Sequence, residues 1–415
     1  MDETKRYKSH LMYRLLFLLF SISLIACYET PEMTEEATEI EGIHFRKFTS
    51  EKDLIKTAKE QKKAAMMVFY NKFDGPSKWM ESSVYKDNEV ATFYNNYFVS
   101  AKIDVDEQAD LAKQYNIDVY PTFIYLDQNG QLLHRTAGPN EHQNFIENGA
   151  IATDSTRNLQ SMHATYNAGN YDVTFLNQYA MQLYDSGIPH DKVVKELLAS
   201  MGASDYFEQE NFYALLVFLR TIKGKNAEFV LAYKDQLIAN FGPEEYGNLI
   251  YQMAFGYLDG LESASKDDLE DVLKFIETSQ IANKKDVSFE IRLEYYKSID
   301  DMIHYGEILK KEVKGLYSNN PHALNVYATE VVEKIHDPNI VREAKKWMNI
   351  AIRIESNSYH LETYSRVLFK LKEYDQALYA IEKSIELAKK EGEYSKRLDE
   401  WKATIIKTME KGGLS

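Results

Sequence analysis

The chain has 415 residues, of which 44% are hydrophobic and 27% charged, so it is long enough for two or three globular domains and too apolar to be disordered throughout. Its 49 Lys and Arg against 64 Asp and Glu give a net charge of −15, which argues against nucleic acid as a partner. The single cysteine, Cys27, excludes an intramolecular disulfide framework and a zinc site of four thiolates.

The chain opens with a basic segment that leads into an apolar run. Four Lys and Arg residues among the first 14 precede residues 15–26, a run of 12 residues interrupted only by two serines. Such a run is too short to cross a bilayer core of about 30 Å as a helix. The pattern is typical of a secretory signal peptide, which we assign to residues 1–26.

The apolar run ends in Leu24-Ile25-Ala26-Cys27, which resembles the lipobox of bacterial lipoproteins. The resemblance implies cleavage before Cys27, lipidation of its sulfur and a membrane anchor of several acyl chains. Tyr28 follows where the inner-membrane retention signal of that family has Asp, so we expect an outer-membrane lipoprotein of the cell envelope, facing either side. The alternative is an ordinary signal peptide or signal anchor with a chance cysteine.

Residues 27–42 form the next segment, which contains six glutamates and few apolar side chains. This composition predicts an extended, self-repelling acidic tether.

Residues 43–152 alternate between helical and strand patterns. The segment 65–70 is a short apolar run, as expected for a strand that is buried on both faces, and Asn129-Gly130 is a strong hairpin signal. The patterns predict, in chain order, a helix over 51–62, a strand over 65–70, a turn at 73–78 that opens a helix, a helix over 89–98, a strand over 99–106, a helix over 110–115, strands over 123–126 and 131–135, and a final helix.

Three sites within these elements resemble the thioredoxin family. The turn Phe73-Asp74-Gly75-Pro76-Ser77-Lys78 resembles the W-C-G-P-C-K active-site turn of that family, and Asp104-Val105-Asp106 resembles the polar end of its central strand. Tyr120-Pro121-Thr122 resembles the loop whose proline is cis and faces the active-site turn. The resemblance implies an α/β thioredoxin-like domain with a groove for extended polypeptide beside Pro121.

The departures from the family pattern concern its chemistry. Asp74 and Ser77 stand where both cysteines would be, and Val68 stands where many members keep a buried Asp. Thiol–disulfide exchange needs a thiolate and a second sulfur, which neither a carboxylate nor a hydroxyl can replace. We therefore predict no catalytic residue and no enzyme activity.

The residues of the turn and of the strand end are expected to have structural roles. Asp74 is expected to cap the following helix, with Ser77 in its first turn, since no base or metal that would make it a nucleophile is evident. Trp79 and Met80 are expected to pack. The carboxylates at 104, 106, 107 and 110 fit a solvated strand end better than a metal site, because their spacing matches no calcium loop. We predict no metal and no cofactor.

From residue 155 to 410 the strand signals give way to amphipathic helical patterns separated by short breaks. They predict an all-α solenoid of helices over 158–167, 173–186, 191–201, 209–222, 227–241, 244–258, 267–281, 289–299, 302–316, 321–335, 341–354, 359–371, 374–389 and 394–409. Residues 358–391 resemble a tetratricopeptide (TPR) repeat through Leu361, Tyr364, Ser365, Leu368, Tyr374, Ala377, Ile381 and Ser384. A less regular unit precedes it, and the last helix is expected to cap the array.

The resulting hypothesis is a membrane-anchored, redox-inactive adaptor that binds envelope proteins or peptides. The alternative is a protein related to thioredoxin-family oxidoreductases that takes part in envelope disulfide handling with a partner. A passive structural role in the envelope is a third hypothesis. The sequence names neither the partner nor the oligomeric state.

Overall fold

A computed structural model describes residues 42–169, 171–392 and 394–412. The predicted signal peptide, Cys27 and residues 27–41 of the predicted tether lie outside these ranges. The described chain divides into two compact units. The first contains residues 42–133 and 138–153, and the second contains residues 154–412 together with His134–Ala137, the last four residues of a strand whose first two residues belong to the first unit.

A mixed β-sheet forms the centre of the first unit. Its strands among the described residues are β1 (Ala64–Tyr70), β2 (Phe98–Asp104), β3 (Thr122–Leu126) and β4 (Leu132–Ala137), in the order β2-β1-β3-β4. β1 is parallel to β2, with Tyr70 opposite Asp104, and antiparallel to β3, with Phe69 opposite Thr122. The ends of β1 and β2 and the start of β3 therefore meet at one edge of the sheet.

Helices cover both faces of this sheet: α1 (Glu51–Glu60), α2 (Gly75–Ser82), α3 (Asn88–Tyr97), α4 (Ala109–Gln114) and α5 (His142–Thr153). Alternate residues of β1 enter different cores. Met66 and Val68 pack in a cluster with Phe145 of α5, whereas Met67 and Phe69 pack in a cluster with Leu54 of α1. Burial on both faces explains why β1 is apolar throughout. The predicted α/β fold class is confirmed.

β2 ends two residues earlier than predicted, at Asp104. The side-chain Oδ1 of Asp104 accepts a hydrogen bond from the Asp106 N–H at 3.0 Å. Its carbonyl oxygen accepts bonds from the N–H groups of Glu107 and Gln108. These bonds turn the chain away from the sheet, as an Asp side chain commonly does.

Fifteen helices of the second unit are described, which confirms the predicted all-α region. They are α6 (Leu159–Ala168), α7 (Val173–Asp185), α8 (Asp191–Ser200), α9 (Gln209–Phe218), α10 (Lys225–Ala232), α11 (Lys234–Phe241), α12 (Pro243–Asp259), α13 (Lys266–Ser279), α14 (Lys284–Ser298), α15 (Met302–Tyr317), α16 (Pro321–Lys334), α17 (Pro338–Ile354), α18 (Ser358–Lys370), α19 (Tyr374–Glu391) and α20 (Lys396–Gly412). None of the described helices is long and apolar enough to span a membrane.

The prediction of one helix over 227–241 is wrong, because the segment forms two helices, α10 and α11, with a break at Tyr233. The Tyr233 N–H donates to the Phe229 carbonyl and so ends α10, while its own carbonyl accepts from Gln236 and Leu237 and begins α11. The rings of Phe229 and Tyr233 stack with centroids 4.2 Å apart. No glycine or proline marks this break in the sequence.

The pair α18–α19 packs through small residues that the sequence had indicated. The Ser365 hydroxyl donates to the Ala377 carbonyl at 2.8 Å, and both residues are fully buried. The following helix, α20, docks on the pair: Trp401 Nε1–H donates to the Ser365 Oγ at 3.1 Å, and Arg397 forms an ion pair with the buried Glu362. These contacts are consistent with a helical solenoid whose last helix covers the end.

A partly buried carboxyl group lies among tyrosines in the middle of this unit. Glu290 of α14 accepts hydrogen bonds from the hydroxyls of Tyr317 and Tyr327, and no Lys or Arg of the described chain forms an ion pair with it. The pKa of Glu290 is raised, chiefly by burial. The hydrogen bonds from the two tyrosine hydroxyls lower this pKa, and the carboxylates of Glu294 and Asp286 raise it further.

We expect Glu290→Gln to raise the free energy of unfolding of the helical unit at pH 7.5, because the amide still accepts a hydrogen bond without burying a charge. The pKa of this group is higher in the folded than in the unfolded chain. As pH falls through the folded value, the wild type therefore regains stability and the advantage of the variant fades. Urea titrations at several pH values measure this in a Trp79→Phe background, which leaves Trp347 and Trp401 as reporters.

The control for this prediction is Glu333→Gln, the same change at an exposed position of α16. It should alter stability by less than about 0.5 kcal/mol at every pH. A stabilisation by Glu290→Gln that is equal at pH 7.5 and pH 4 would contradict the assignment to ionisation.

Candidate functional site

The turn after β1 is shaped by two side chains that accept main-chain hydrogen bonds. Asn71 Oδ1 accepts from the Phe73 N–H at 2.8 Å. Asp74 Oδ2 accepts from the Ser77 N–H at 2.7 Å, and Pro76 lies in the first turn of α2. Asp74 is thus the N-cap of α2, the role that we preferred over catalysis, and a cap of this kind stabilises a helix by about 1 kcal/mol.

The same turn presents both exposed and buried groups. The Phe73 side chain is 76% exposed, and Trp79, in the second turn of α2, is 37% exposed. Ser77 is only 5% exposed, and its hydroxyl has no hydrogen-bond partner among the described residues. Met80 is buried and packs in a core cluster, as predicted, whereas Lys78 is exposed.

The second part of the site is the loop that leads into β3. The Tyr120–Pro121 peptide bond is cis, the form that the family resemblance implies. The Thr122 hydroxyl donates to the Val119 carbonyl, and the Gly138 N–H donates to the Pro121 carbonyl, both at 2.7 Å. Within the described chain, the main-chain N–H and C=O of Tyr120 form no hydrogen bond. A pair of main-chain groups of this type can bind an extended segment.

The sheet brings the turn and the loop together. Burial raises the pKa of Tyr120, and the carboxylates of Asp106, Asp118 and Asp74 raise it further. The register of the sheet agrees, because Tyr70 lies opposite Asp104 and Phe69 opposite Thr122, so the loops that carry these three carboxylates leave the same edge of the sheet. The residues of the predicted turn and of the predicted loop therefore line one site at this edge of the sheet.

The acidic residues of this edge differ in their surroundings. Asp106, Glu107 and Asp110 are exposed, as predicted for a solvated strand end, but Asp104 is 7% exposed because its side chain supports the turn after β2. The Lys72 ammonium lies 3.9 Å from Asp104 Oδ2. Over the described part of the chain, no group of three or more His, Cys, Asp or Glu side chains is placed to hold a metal ion.

Two residues of the site were missed by the sequence analysis. Asp118 lies beside Tyr120 but belongs to no motif. Tyr70 ends β1, and its pKa is raised first by burial and then by the carboxylates of Asp104, Glu81 and Glu107. The register of β1 against β2 could have indicated Tyr70, because it places that residue opposite Asp104.

Comparisons with known proteins agree with this fold. Residues 51–147 match the family model of the thioredoxin-like domain. Thioredoxin-1 of Drosophila melanogaster is 38% identical over 81 residues, which are 20% of this chain and 72% of that protein.

Two solved structures are also similar to this chain. The solution structure of a protein assigned as a disulphide isomerase, from Bacteroides thetaiotaomicron, is 27% identical and covers 28% of this chain and 98% of its own, with a TM-score of 0.26. The solution structure of a thioredoxin from Thermus thermophilus is 22% identical and covers 25% of this chain and 84% of its own, with a TM-score of 0.23. Together, the family match and the fly relative establish that this chain belongs, through its first unit, to the thioredoxin family.

Proposed function

We propose that the protein is a redox-inactive adaptor that holds protein or peptide segments at the bacterial cell envelope. The observation that carries this proposal is the chemistry of the turn, where Asp74 and Ser77 occupy the two positions of the family's cysteines. The carboxylate of Asp74 is engaged in capping α2. The chain has no other cysteine than Cys27, so it lacks the pair of thiols that a turnover cycle requires.

The binding function uses what the site retains. The Tyr120 main-chain groups are available to pair with an extended segment, and the Phe73 ring of the turn after β1 is exposed and can supply an apolar contact. Neither interaction involves sulfur. Loss of the thiols therefore removes the chemistry of the family and leaves its mode of holding a polypeptide.

The helical unit supplies a second surface for an adaptor. A cavity of about 580 Å³ lies on helices α17, α18 and α19, with Ile352, Leu361 and Tyr364 as apolar lining and Arg353 and Asp375 as charged lining. We propose that these helices form TPR-like repeats, a class that binds helical or extended peptides. We propose that this surface binds such a peptide.

The proposed location rests on the sequence of the first 28 residues. A lipid on Cys27 would anchor the mature chain, and the acidic tether would separate the folded units from the membrane surface. Since Tyr28 follows Cys27, we propose the outer membrane.

An insulin-reduction assay tests the absence of redox function. We expect the protein, at micromolar concentration with dithiothreitol, to precipitate insulin no faster than dithiothreitol alone, because no residue in the turn can attack a disulfide. A thioredoxin assayed in parallel is the positive control. Turnover at a thioredoxin-like rate would overturn the adaptor proposal.

The second candidate, disulfide handling with a partner that supplies the thiols, is favoured by the name of the fly relative, which is a thioredoxin. Crosslinking in native membranes separates the two candidates. An adaptor should capture partners equally well after their thiols are blocked with N-ethylmaleimide, whereas a participant in disulfide exchange should capture thiol-containing partners in a block-sensitive way.

A further inference from the structure

Carboxylates cluster at the edge of the sheet where β1 and β2 end and β3 begins. Tyr70 lies opposite Asp104, and the chain continues from there to the exposed Asp106. Phe69 lies opposite Thr122, which places Tyr120 and the exposed Asp118 at the same edge. The pKa of Tyr120 is raised by burial and then by the carboxylates of Asp106, Asp118 and Asp74, in agreement with this placement. The proposed groove between the turn and the Pro121 loop therefore has acidic residues along both parts of its rim.

Cations balance only part of this charge. Lys102 is 2.6 Å from Glu81, and Lys72 is 3.9 Å from Asp104. Within the described residues, the exposed carboxylates of Asp106 and Asp118 form no ion pair and accept no hydrogen bond. The turn has one further cation, the exposed Lys78, which forms no ion pair within the described residues. Four carboxylates also lack an ion-pair partner there: those of Asp74, Asp106, Glu107 and Asp118. The rim is thus negative when the groove is empty.

Polar and apolar groups of the groove itself indicate an extended ligand. The Tyr120 main chain offers one donor and one acceptor. The Ser77 hydroxyl is buried and has no hydrogen-bond partner among the described residues, and Phe73 of the same turn is exposed to solvent. These groups can bind the backbone of a peptide and one of its apolar side chains, but they do not by themselves distinguish one peptide sequence from another.

We propose that this groove selects extended peptide segments in which Lys or Arg residues flank an apolar residue. The inference rests on the proposed binding function and adds its specificity. Opposite charges across an interface speed encounter and reject like-charged competitors, and for exposed groups this contribution falls as salt rises. A segment with acidic flanks would place like charges against Asp106 and Asp118.

The test compares two fluorescein-labelled peptides of equal length with a central Phe, one flanked by Lys and Arg and the other by Glu. Fluorescence anisotropy gives their affinities for the full chain at 50 and 300 mM NaCl. We expect the basic peptide to bind roughly tenfold more tightly at low salt, which corresponds to a few exposed charge pairs, and we expect the preference to shrink at high salt.

Matched variants assign the preference to the rim. Asp106→Asn combined with Asp118→Asn should reduce the preference to about twofold or less while both peptides still bind. The control, Asp259→Asn combined with Glu262→Gln, removes two exposed charges from the helical unit and should leave the preference intact. Phe73→Ala should weaken both peptides alike.

The possible results distinguish the charge selectivity of the groove from peptide binding itself. Equal affinity of the wild type for both peptides, or a preference that survives Asp106→Asn with Asp118→Asn, overturns the selectivity and leaves peptide binding standing. No binding of either peptide overturns the proposed function of this groove together with the inference. Binding that is insensitive to Phe73→Ala places the peptide elsewhere and overturns both as well.

Discussion

Asp74→Cys combined with Ser77→Cys, in a Cys27→Ser background, is expected to give the chain a disulfide reductase activity, which we propose that the wild type lacks. The N-cap position of α2 suits a nucleophilic thiol, because N–H groups at a helix N-terminus stabilise a thiolate and lower its pKa. Position 77 lies in the first turn of the same helix and is buried, as a resolving thiol should be. The variant thus restores both sulfurs on an existing scaffold.

The restored activity should stay below that of a thioredoxin. Val68 is fully buried in the core where many family members carry an acid that assists proton transfer. General acid–base assistance contributes roughly 10²- to 10⁴-fold to a rate, so we expect a deficit of that order. Removing the Asp74 carboxylate also costs about 1 kcal/mol of stability through the lost cap.

Insulin reduction and thiol titration measure the result together. The double variant should form an internal disulfide on mild oxidation, with loss of two titratable thiols and no change in far-ultraviolet circular dichroism. Asp74→Cys alone should form a lasting mixed disulfide with an aromatic disulfide reagent but should not turn over. A folded double variant whose thiols never pair would show that the turn at 73–78 does not correspond to the family's active-site turn.

The sequence identified the parts of the site that depend on local chemistry. Asp74 caps a helix whose start is marked by Gly75 and Pro76, and a hydrogen bond between residues three apart needs no tertiary information. Pro121 was found because the resemblance supplied its context. The apolar run of β1 was recognisable because both faces of that strand are buried.

Features that depend on packing between distant segments were not predictable in the same way. The loop that carries Tyr120 reaches the edge where β1 and β2 end only because β3 pairs antiparallel to β1 while β2 pairs parallel to it. Glu290 receives hydroxyls from Tyr317 and Tyr327, which are 27 and 37 residues away in the chain. No periodicity in a single sequence encodes such contacts, so the clustering of carboxylates at this edge of the sheet could be recognised only from the structure.

Phe145 packs in the core cluster on one face of the sheet, together with residues of β1 and β3. It is fully buried, and its ring stacks on Tyr94 with centroids 4.3 Å apart and contacts Phe123 at 4.7 Å. The ring centroid of Tyr85 lies 5.8 Å from that of Phe145. Four aromatic rings from α5, α3, β3 and the segment before α3 thus share one cluster below the sheet.

Phe145→Ala is expected to lower the free energy of unfolding of the first unit by about 3–5 kcal/mol, through lost burial and the cavity that rigid rings cannot fill. The Tyr94 hydroxyl donates to the main-chain carbonyl of residue 145 at 2.6 Å, so that hydrogen bond survives the substitution. Amide hydrogen exchange followed by mass spectrometry should show β1 and β3 peptides exchanging roughly 10²- to 10³-fold faster, because their slowest amides exchange through unfolding of the unit.

Phe73→Ala provides the matched control, since it removes the same ring from a side chain that is 76% exposed. It should change stability by less than about 0.5 kcal/mol, although it weakens peptide binding. The pair of variants separates a phenylalanine that packs in the core from one that we propose contacts the bound peptide. If both variants accelerated exchange of β1 equally, Phe73 would have a structural role and the binding surface proposed for the turn would lose its main apolar contact.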